Sequence, residues 1–222
     1  AVWIQDQNIN PRELLMREHW IIQSKRERFE MIEIRWHGRG GQGAFTAAKI
    51  FGAAAVAEGR YALAFPSFGP EGRGAPIQAF TKIDDAIVKD RSEIRNCDYI
   101  VIIDETLYSP AFLDALKKGG RIYINTKTPE KYSDSRITVV DADTISMHFL
   151  NRPVSNTAMA AVLAADTGIV SSENIEKSLY QYLPEKVAEK NVNVVNHIFE
   201  KDVFRRQIAD SGIKHQDSRG GK

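Results

Sequence analysis

The sequence contains one cysteine, Cys97, in 222 residues. An intramolecular disulfide needs two, and an iron–sulfur cluster takes about four thiolates. A thiolate zinc site is excluded on the same ground. An excess of charge of one sign is also missing. Thirty Lys and Arg face 29 Asp and Glu, a formal net charge of +1. Nothing global then attracts nucleic acid or an anionic membrane surface. No apolar run reaches the roughly 20 residues that span a bilayer. Residues Ala1 to Arg26 mix acidic, basic and aromatic side chains and lack the apolar centre of a secretory signal. The expectation is a cytoplasmic protein with neither a nucleic-acid nor a membrane partner. Cys97 precedes the apolar run Tyr99–Ile103, which marks it as a buried core residue rather than a nucleophile.

What is present divides into three parts. Residues 1–30 read as an N-terminal arm. Pro11 can open a helix, and Leu14, Leu15, Trp20, Ile21 and Ile22 are spaced among charges. The arm is expected to be helical and to dock on a partner, or to pack on its own domain. A domain follows over 31–208, and 209–222 form a polar tail.

Within the domain, Ile32, Ile34 and Trp36 alternate with polar residues, which is a strand signal. Ala44–Glu58 has helical spacing. Tyr61–Phe65 and Ile77–Ile83 read as strands on either side of a loop, Pro66–Pro76. Tyr99–Ile103 is a continuous, mostly β-branched run, suited to a parallel strand covered on both faces. Pro110–Lys118 reads as a short helix closed by Gly119 and Gly120. Arg121–Asn125 and Ile137–Val140 complete the strands. From Asp141 the pattern is helical: Thr144–Leu150, Asn156–Asp166, Ser172–Tyr182 and Glu185–Phe204. The alternation predicts an α/β fold: a Rossmann-like open sheet, mainly parallel, with helices on both faces and a helical C-terminal part.

Gly38, Gly40 and Gly43 fit G-x-G-x-x-G between a predicted strand and a predicted helix. Glycines let backbone N–H groups approach phosphate oxygens, and the helix start adds partial positive charge. Arg39 could give phosphate a bidentate contact. A bound dinucleotide would also call for an acidic residue at the end of the second strand, to hold a ribose hydroxyl. Pro66-Ser67-Phe68 stands there instead. The loop therefore reads as a phosphate cradle or as a tight turn for strand–helix packing, and not as a dinucleotide site.

Two long segments carry a resemblance. Ile34-Arg35-Trp36-His37-Gly38-Arg39-Gly40-Gly41-Gln42-Gly43 is the first. Ala64-Phe65-Pro66-Ser67-Phe68-Gly69-Pro70-Glu71, followed by Arg73-Gly74-Ala75-Pro76, is the second. With Val101-Ile102-Ile103-Asp104 and Asn156-Thr157, they resemble the gamma subunit of the 2-oxoacid:ferredoxin oxidoreductases over about residues 31 to 200. That family often has Glu-Arg-Arg-Gly in the second loop; Gly72 stands here in place of the first arginine, one cation fewer.

The resemblance implies oxidative decarboxylation of a 2-oxoacid by a complex with alpha, beta and delta-type partner subunits and ferredoxin as acceptor. It implies thiamine diphosphate with Mg, iron–sulfur clusters and, for most substrates, coenzyme A. Pyruvate, a branched-chain oxoacid, 2-oxoglutarate and oxalate all remain open as substrate. The chain lacks a Gly-Asp-Gly with trailing Asn-Asn, the usual thiamine diphosphate signature. The redox cofactors are therefore expected on other chains.

The residues so marked for ligand contact are Gly38, Arg39, Gly40, Gly41, Gln42, Gly43, Arg73, Asn156 and Thr157; no catalytic residue and no metal ligand is assigned. Each has a plainer alternative. Arg73 suits an interface as well as an anion. Asn156 suits a helix cap. His37 reads as a strand-end residue hydrogen-bonding the loop, and Asp104 as a loop-ordering carboxylate. The whole chain could also be a docking module without a ligand, or a stand-alone nucleotide-binding protein. The purified chain alone is expected to be colourless and without oxidoreductase activity; a brown preparation with visible-region absorbance would contradict this.

Overall fold

The computed structural model describes residues 30–67 and 74–201. The arm, the tail and the centre of the second loop, Arg73 included, lie outside these. The chain divides into two units, Ala1–Glu30 and Met31–Lys222, and the fold described is that of the second.

Six strands come first: β1 (Ile32–Arg39), β2 (Tyr61–Pro66), β3 (Pro76–Asp84), β4 (Cys97–Ile102), β5 (Leu116–Asn125) and β6 (Ile137–Val140). Helix α1 (Ala44–Ala57) joins β1 to β2. Four helices end the described chain: α2 (Ala142–Leu150), α3 (Asn156–Thr167), α4 (Ser172–Tyr182) and α5 (Glu185–Lys201). The sheet order is β2-β3-β1-β4-β5-β6. β1, β4, β5 and β6 pair in parallel, and only β3 runs against its neighbours β1 and β2. This is the expected mainly parallel α/β sheet, with β4 in its interior.

The β-branched run explains why β4 sits inside. Val101 and Ile103 join the apolar cluster under the α-helices, whereas Ile100 and Ile102 join the cluster on the opposite face. Both sides of the strand are dry, as a continuous apolar run requires. The α-helices are all on the first face, not on both as the alternation predicted, because the links between β3, β4, β5 and β6 form 3₁₀ turns and irregular segments instead. There α3 is buried from Asn156 to Ala164 and packs between α1 and α5. Its small side chains allow this close approach. The second face is covered by 3₁₀ turns at Glu105–Leu107, Pro110–Phe112 and Pro129–Lys131 and by the segment 85–96.

Here the sequence reading of Pro110–Lys118 needs correction. Only Pro110–Phe112 is helical, as one 3₁₀ turn, and β5 already begins at Leu116. The tertiary reason is that Cys97 pairs with Leu116 across a register shift, which draws Leu116–Gly119 into the sheet. In α5 the reverse holds. Asn191–Asn196 is β-branched yet helical, because Ala188, Asn191, Val194, Val195 and Ile198 fall on one buried face. Among the described residues no helix is long and apolar enough to cross a membrane.

Trp36 anchors the first face. It is fully buried, packs against Phe51 at 5.7 Å, and its indole N–H donates to Thr81 Oγ1 at 3.0 Å. The Thr81 hydroxyl in turn donates to the Ala48 carbonyl at 3.1 Å, tying β3 to α1. Thr81→Val should cost about 1–3 kcal/mol, since it strands a buried indole N–H. In the Trp36→Phe background the same change should cost much less. Urea unfolding of the four-member cycle measures the coupling, and additive costs would show that the bond carries no stability.

Candidate functional site

The chain leaves β1 toward β2 and β3 on one side and later returns to β4 on the other. The crevice at the C-terminal ends of β1 and β4 is therefore a topological switch point, where open α/β sheets bind ligands. The glycine loop, Asp104, Asn125 and the start of α3 all meet there.

Gly41 and Gly43 have φ of +96° and +81°, so both need glycine's freedom. Gly43 is the N-cap of α1, whose first turn has no side-chain cap and no acidic residue. A Cβ at Gly43 would lie 2.5 Å from Asn156 Nδ2, whereas one at Gly41 would meet nothing within 4 Å. Gly43 is glycine for packing, and Gly41 faces open space. The second loop is joined to the first: Gly40 N–H donates to the Ala75 carbonyl at 2.8 Å, and Gly74 N–H donates to the Gly40 carbonyl at 3.1 Å.

Asp104 organises the mouth. It accepts from Arg39 Nε at 3.2 Å, Gln42 Nε2 at 2.9 Å, the Thr106 N–H at 3.0 Å and the Thr106 hydroxyl at 2.6 Å. Partial burial opposes its charge, but the Thr106 and Gln42 hydrogen bonds and the Arg39 guanidinium outweigh that and lower its pKa. Arg39 spends its other nitrogens on the Gly74 carbonyl at 3.2 Å and the Thr106 hydroxyl at 2.7 Å. Gln42 Oε1 accepts from the Arg39 N–H at 2.7 Å. Arg39 and Gln42 are thus braces of the loop. The first-turn N–H groups of α1, which no helix carbonyl can satisfy, are donors without a side-chain cap at the mouth.

Asn156 does not cap α3; Ser155 holds the cap position. Asn156 instead reaches across to the Gly43 carbonyl at 3.4 Å. Thr157 is buried beside it. The sequence reading missed Asn125. Its Nδ2 donates to the Ile103 carbonyl, Asp143 Oδ1 and Ser155 Oγ at 2.9, 2.9 and 3.2 Å, and its Oδ1 accepts from the N–H groups of Ala142 and Asp143. One amide joins β4, β5, α2 and the approach to α3. An asparagine closing an apolar strand was the available signal. Glu105 accepts from the Thr126 hydroxyl and fixes the next loop.

His37 does not hydrogen-bond the loop through its side chain. The ring is 4% exposed, lies 4.6 Å from the Phe112 ring, and its Nε2 has no partner. Its backbone carbonyl accepts from the Ile103 N–H at 2.8 Å. Cys97 is buried, and burial pushes its thiol up to about 11. Among the described residues no group of three or more His, Cys, Asp or Glu could hold a metal ion. A single thiol falls short of the roughly four that an iron–sulfur cluster takes.

Residues 33–201 match the pyruvate ferredoxin/flavodoxin oxidoreductase family. The chain belongs to that family. It is 42% identical over 172 residues to pyruvate synthase subunit PorC of Methanothermobacter thermautotrophicus, covering 77% of this chain and 96% of the relative. It is also 42% identical over 181 residues to the pyruvate/ketoisovalerate oxidoreductases common subunit gamma of Thermococcus litoralis, covering 78% and 98%. Among solved structures, the pyruvate oxidoreductase subunit PORC of Thermotoga maritima superposes with a TM-score of 0.66 at 36% identity, covering 77% of this chain and 96% of that one. The gamma-type resemblance visible in the two loops is the family found. The sheet also differs from a dinucleotide-binding fold in its strand arrangement. In this sheet β3, antiparallel, occupies the place beside β1 where a dinucleotide fold puts its parallel second strand.

His37 gives the stability of the fold a pH dependence. Burial, and then the nearby Arg35 charge, push its pKa down to about 3. Unfolded, the ring takes up a proton below about pH 6.5; folded, it does not. The stability tied to neutral His37 is present above that value and is lost as pH falls, at about 1.4 kcal/mol per pH unit. Urea unfolding between about pH 6 and about pH 5 should show this slope, and His37→Phe should remove most of it.

Proposed function

We propose that the chain is the gamma subunit of a thiamine-diphosphate- and iron–sulfur-dependent 2-oxoacid:ferredoxin oxidoreductase. Its role is to assemble with the alpha, beta and delta-type subunits and to present the glycine-loop mouth to coenzyme A. The family match over most of the chain is the observation that carries this. The cofactors belong to the partner chains on this reading, because the only thiol here is buried and raised to about 11. The assembled complex would oxidise the 2-oxoacid and hand electrons to ferredoxin. Its domain spans 31–208, and it works in the cytoplasm.

The mouth supports the ligand part of the proposal by what it leaves unspent. Arg39 is neutralised by Asp104, so the cation available to a phosphate is Arg73, which the sequence puts in the second loop. Gly38, Gly40, Gly41 and Gly43 keep the backbone bare, Gln42 and Arg39 brace it, and Asn156 and Thr157 back it from α3. Directional N–H contacts plus one mobile-length cation suit the phosphates of coenzyme A.

The test is kinetic and uses the assembled complex. Arg73→Ala removes one charge-assisted contact, worth about 1.5–3 kcal/mol. It should raise KM for coenzyme A about tenfold or more with little change in kcat. Gly41→Ala both adds a methyl at the open position and strains a backbone held at φ +96°, and should act in the same direction. If both variants assemble and titrate with coenzyme A like the parent, the mouth is a docking element and the ligand reading fails.

A further inference from the structure

The α-helices of the described chain do not begin alike. α2 starts on a cap from Asp141 and carries Asp143 in its first turn. α4 starts on a cap from Ser171 and carries Glu173 there, and α5 carries Glu185. α1 and α3 have neither device. Gly43 and Ser155 hold their cap positions without a side-chain hydrogen bond, and no acidic residue stands in either first turn. The uncapped pair is also the pair that meets. Asn156, the first residue of α3, reaches the carbonyl of Gly43, the N-cap of α1, and the two helices pack on each other.

Their directions make this pairing costly. Ala44 lies beside Gly38 near the end of β1, whereas the Ala48 carbonyl already meets Thr81, which is level with Ile34 toward the start of the strand. α1 therefore runs back along β1. Ser155 bonds Asn125 at the end of β5 at 3.2 Å. Near the other end of α3, Asp166 accepts from the Tyr123 hydroxyl at 2.5 Å and lies 4.0 Å from Arg121. α3 therefore runs back along β5, which is parallel to β1 through β4. The two macrodipoles point the same way, and each brings about +0.5 of an elementary charge to the mouth. Like poles side by side are unfavourable until an anion stands between them.

The side chains between the two starts are unspent. Asn156 is 6% exposed and Thr157 1%. The Asn156 amide makes one bond, the 3.4 Å contact with Gly43, and the Thr157 hydroxyl has no partner among the described residues. Buried polar groups are normally paired, yet neither of these is sealed off from solvent. The carboxylates of the mouth are engaged elsewhere, Asp104 by Arg39 and Gln42, and Asp143 by Asn125.

We propose that the adjoining starts of α1 and α3 form a site for a phosphomonoester dianion, and that the group it takes is the 3′-phosphate of coenzyme A. This rests on the coenzyme A reading above. A phosphomonoester carries about −1.5 to −2 charges near pH 7 and three strong acceptor oxygens. Those suit two helix starts together with the Asn156 and Thr157 donors. A phosphate inside a diphosphate diester has less charge and fewer free oxygens, and it satisfies less of the site. The subunit thereby discriminates coenzyme A from its 3′-dephospho form.

The experiment compares the two forms on the assembled complex. KM for 3′-dephospho-coenzyme A should exceed that for coenzyme A about tenfold or more. Asn156→Asp puts a carboxylate at a helix start, where it favours the helix and repels an anion. It should raise KM for coenzyme A about tenfold and leave that for the dephospho form nearly unchanged, while the chain melts no lower than the parent. Thr157→Val keeps the side-chain shape and should act in the same direction by a smaller factor. A parent that uses both forms alike, or an Asn156→Asp variant that weakens both alike, overturns the proposal. A second arm uses the full chain and inorganic phosphate. The parent should melt at a higher temperature in phosphate than in chloride at matched ionic strength, and Asn156→Asp should lose that shift. A shift that survives Asn156→Asp assigns the anion to another place and overturns the proposal. If the complex does not respond to coenzyme A at all, the coenzyme A reading fails, and the phosphate arm decides the site by itself: a shift confined to the parent keeps it, and no shift in the parent removes it.

Discussion

Four donors converge on the carboxylate of Asp104, and the mouth of the sheet takes its shape from that. Arg39 and Gln42 arrive from the glycine loop, and Thr106 supplies two from the turn after β4. A loop with two left-handed glycines would otherwise carry a large conformational entropy. The carboxylate removes that freedom by fixing the two long side chains on either side of it. Through Arg39 the constraint passes to Gly74 and so to the C-terminal edge of the second loop. Asn125 does the same work one strand farther along, without charge.

This arrangement decides which atoms are left for function. The side chains at the mouth are largely satisfied by one another, so among the described residues the mouth presents backbone N–H groups and a helix start. Such donors cannot rotate away, and they cost little reorganisation when an anion binds. The same logic explains the asymmetry of the two glycines. Gly43 is filled against by Asn156, whereas Gly41 has open space before it. One builds the loop and the other leaves room in front of it.

Much of the fold was legible because local pattern and tertiary role agree. Tyr99–Ile103 reads as a strand dry on both faces, and its side chains do divide between two apolar clusters. The small-residue run from Asn156 reads as a closely packed helix, and α3 is buried along that run. Three things were not legible. The antiparallel insertion of β3 depends on strand order, which no periodicity encodes. The stretch after Phe112 has helical spacing but is claimed by β5 through pairing with Cys97. At the site, residue types were right and partners were hidden. Arg39 looks like an anion clamp until Asp104, 65 positions away, is brought within 3.2 Å of it. Asn125 carries no motif at all, and its role exists only where four chain segments meet.

The two faces of the sheet are finished by different physical means. Its first face is closed by its own helices, so it has a complete core on that side and can fold around Trp36 and α3. Its second face is finished by short turns and by the segment 85–96, which the Lys82–Asp90 pair holds to β3. The mouth lies at the C-terminal end of the same sheet, reached by β1 and β4, whose side chains alternate between the two faces. Residues Arg35 and His37 point to the second face from the strand that ends at the glycine loop, and Phe112 lies against both. The packing of the second face therefore bears on the strand that leads into Gly38–Gly43. The second face and the mouth are therefore built on one strand, β1, rather than on separate parts of the molecule.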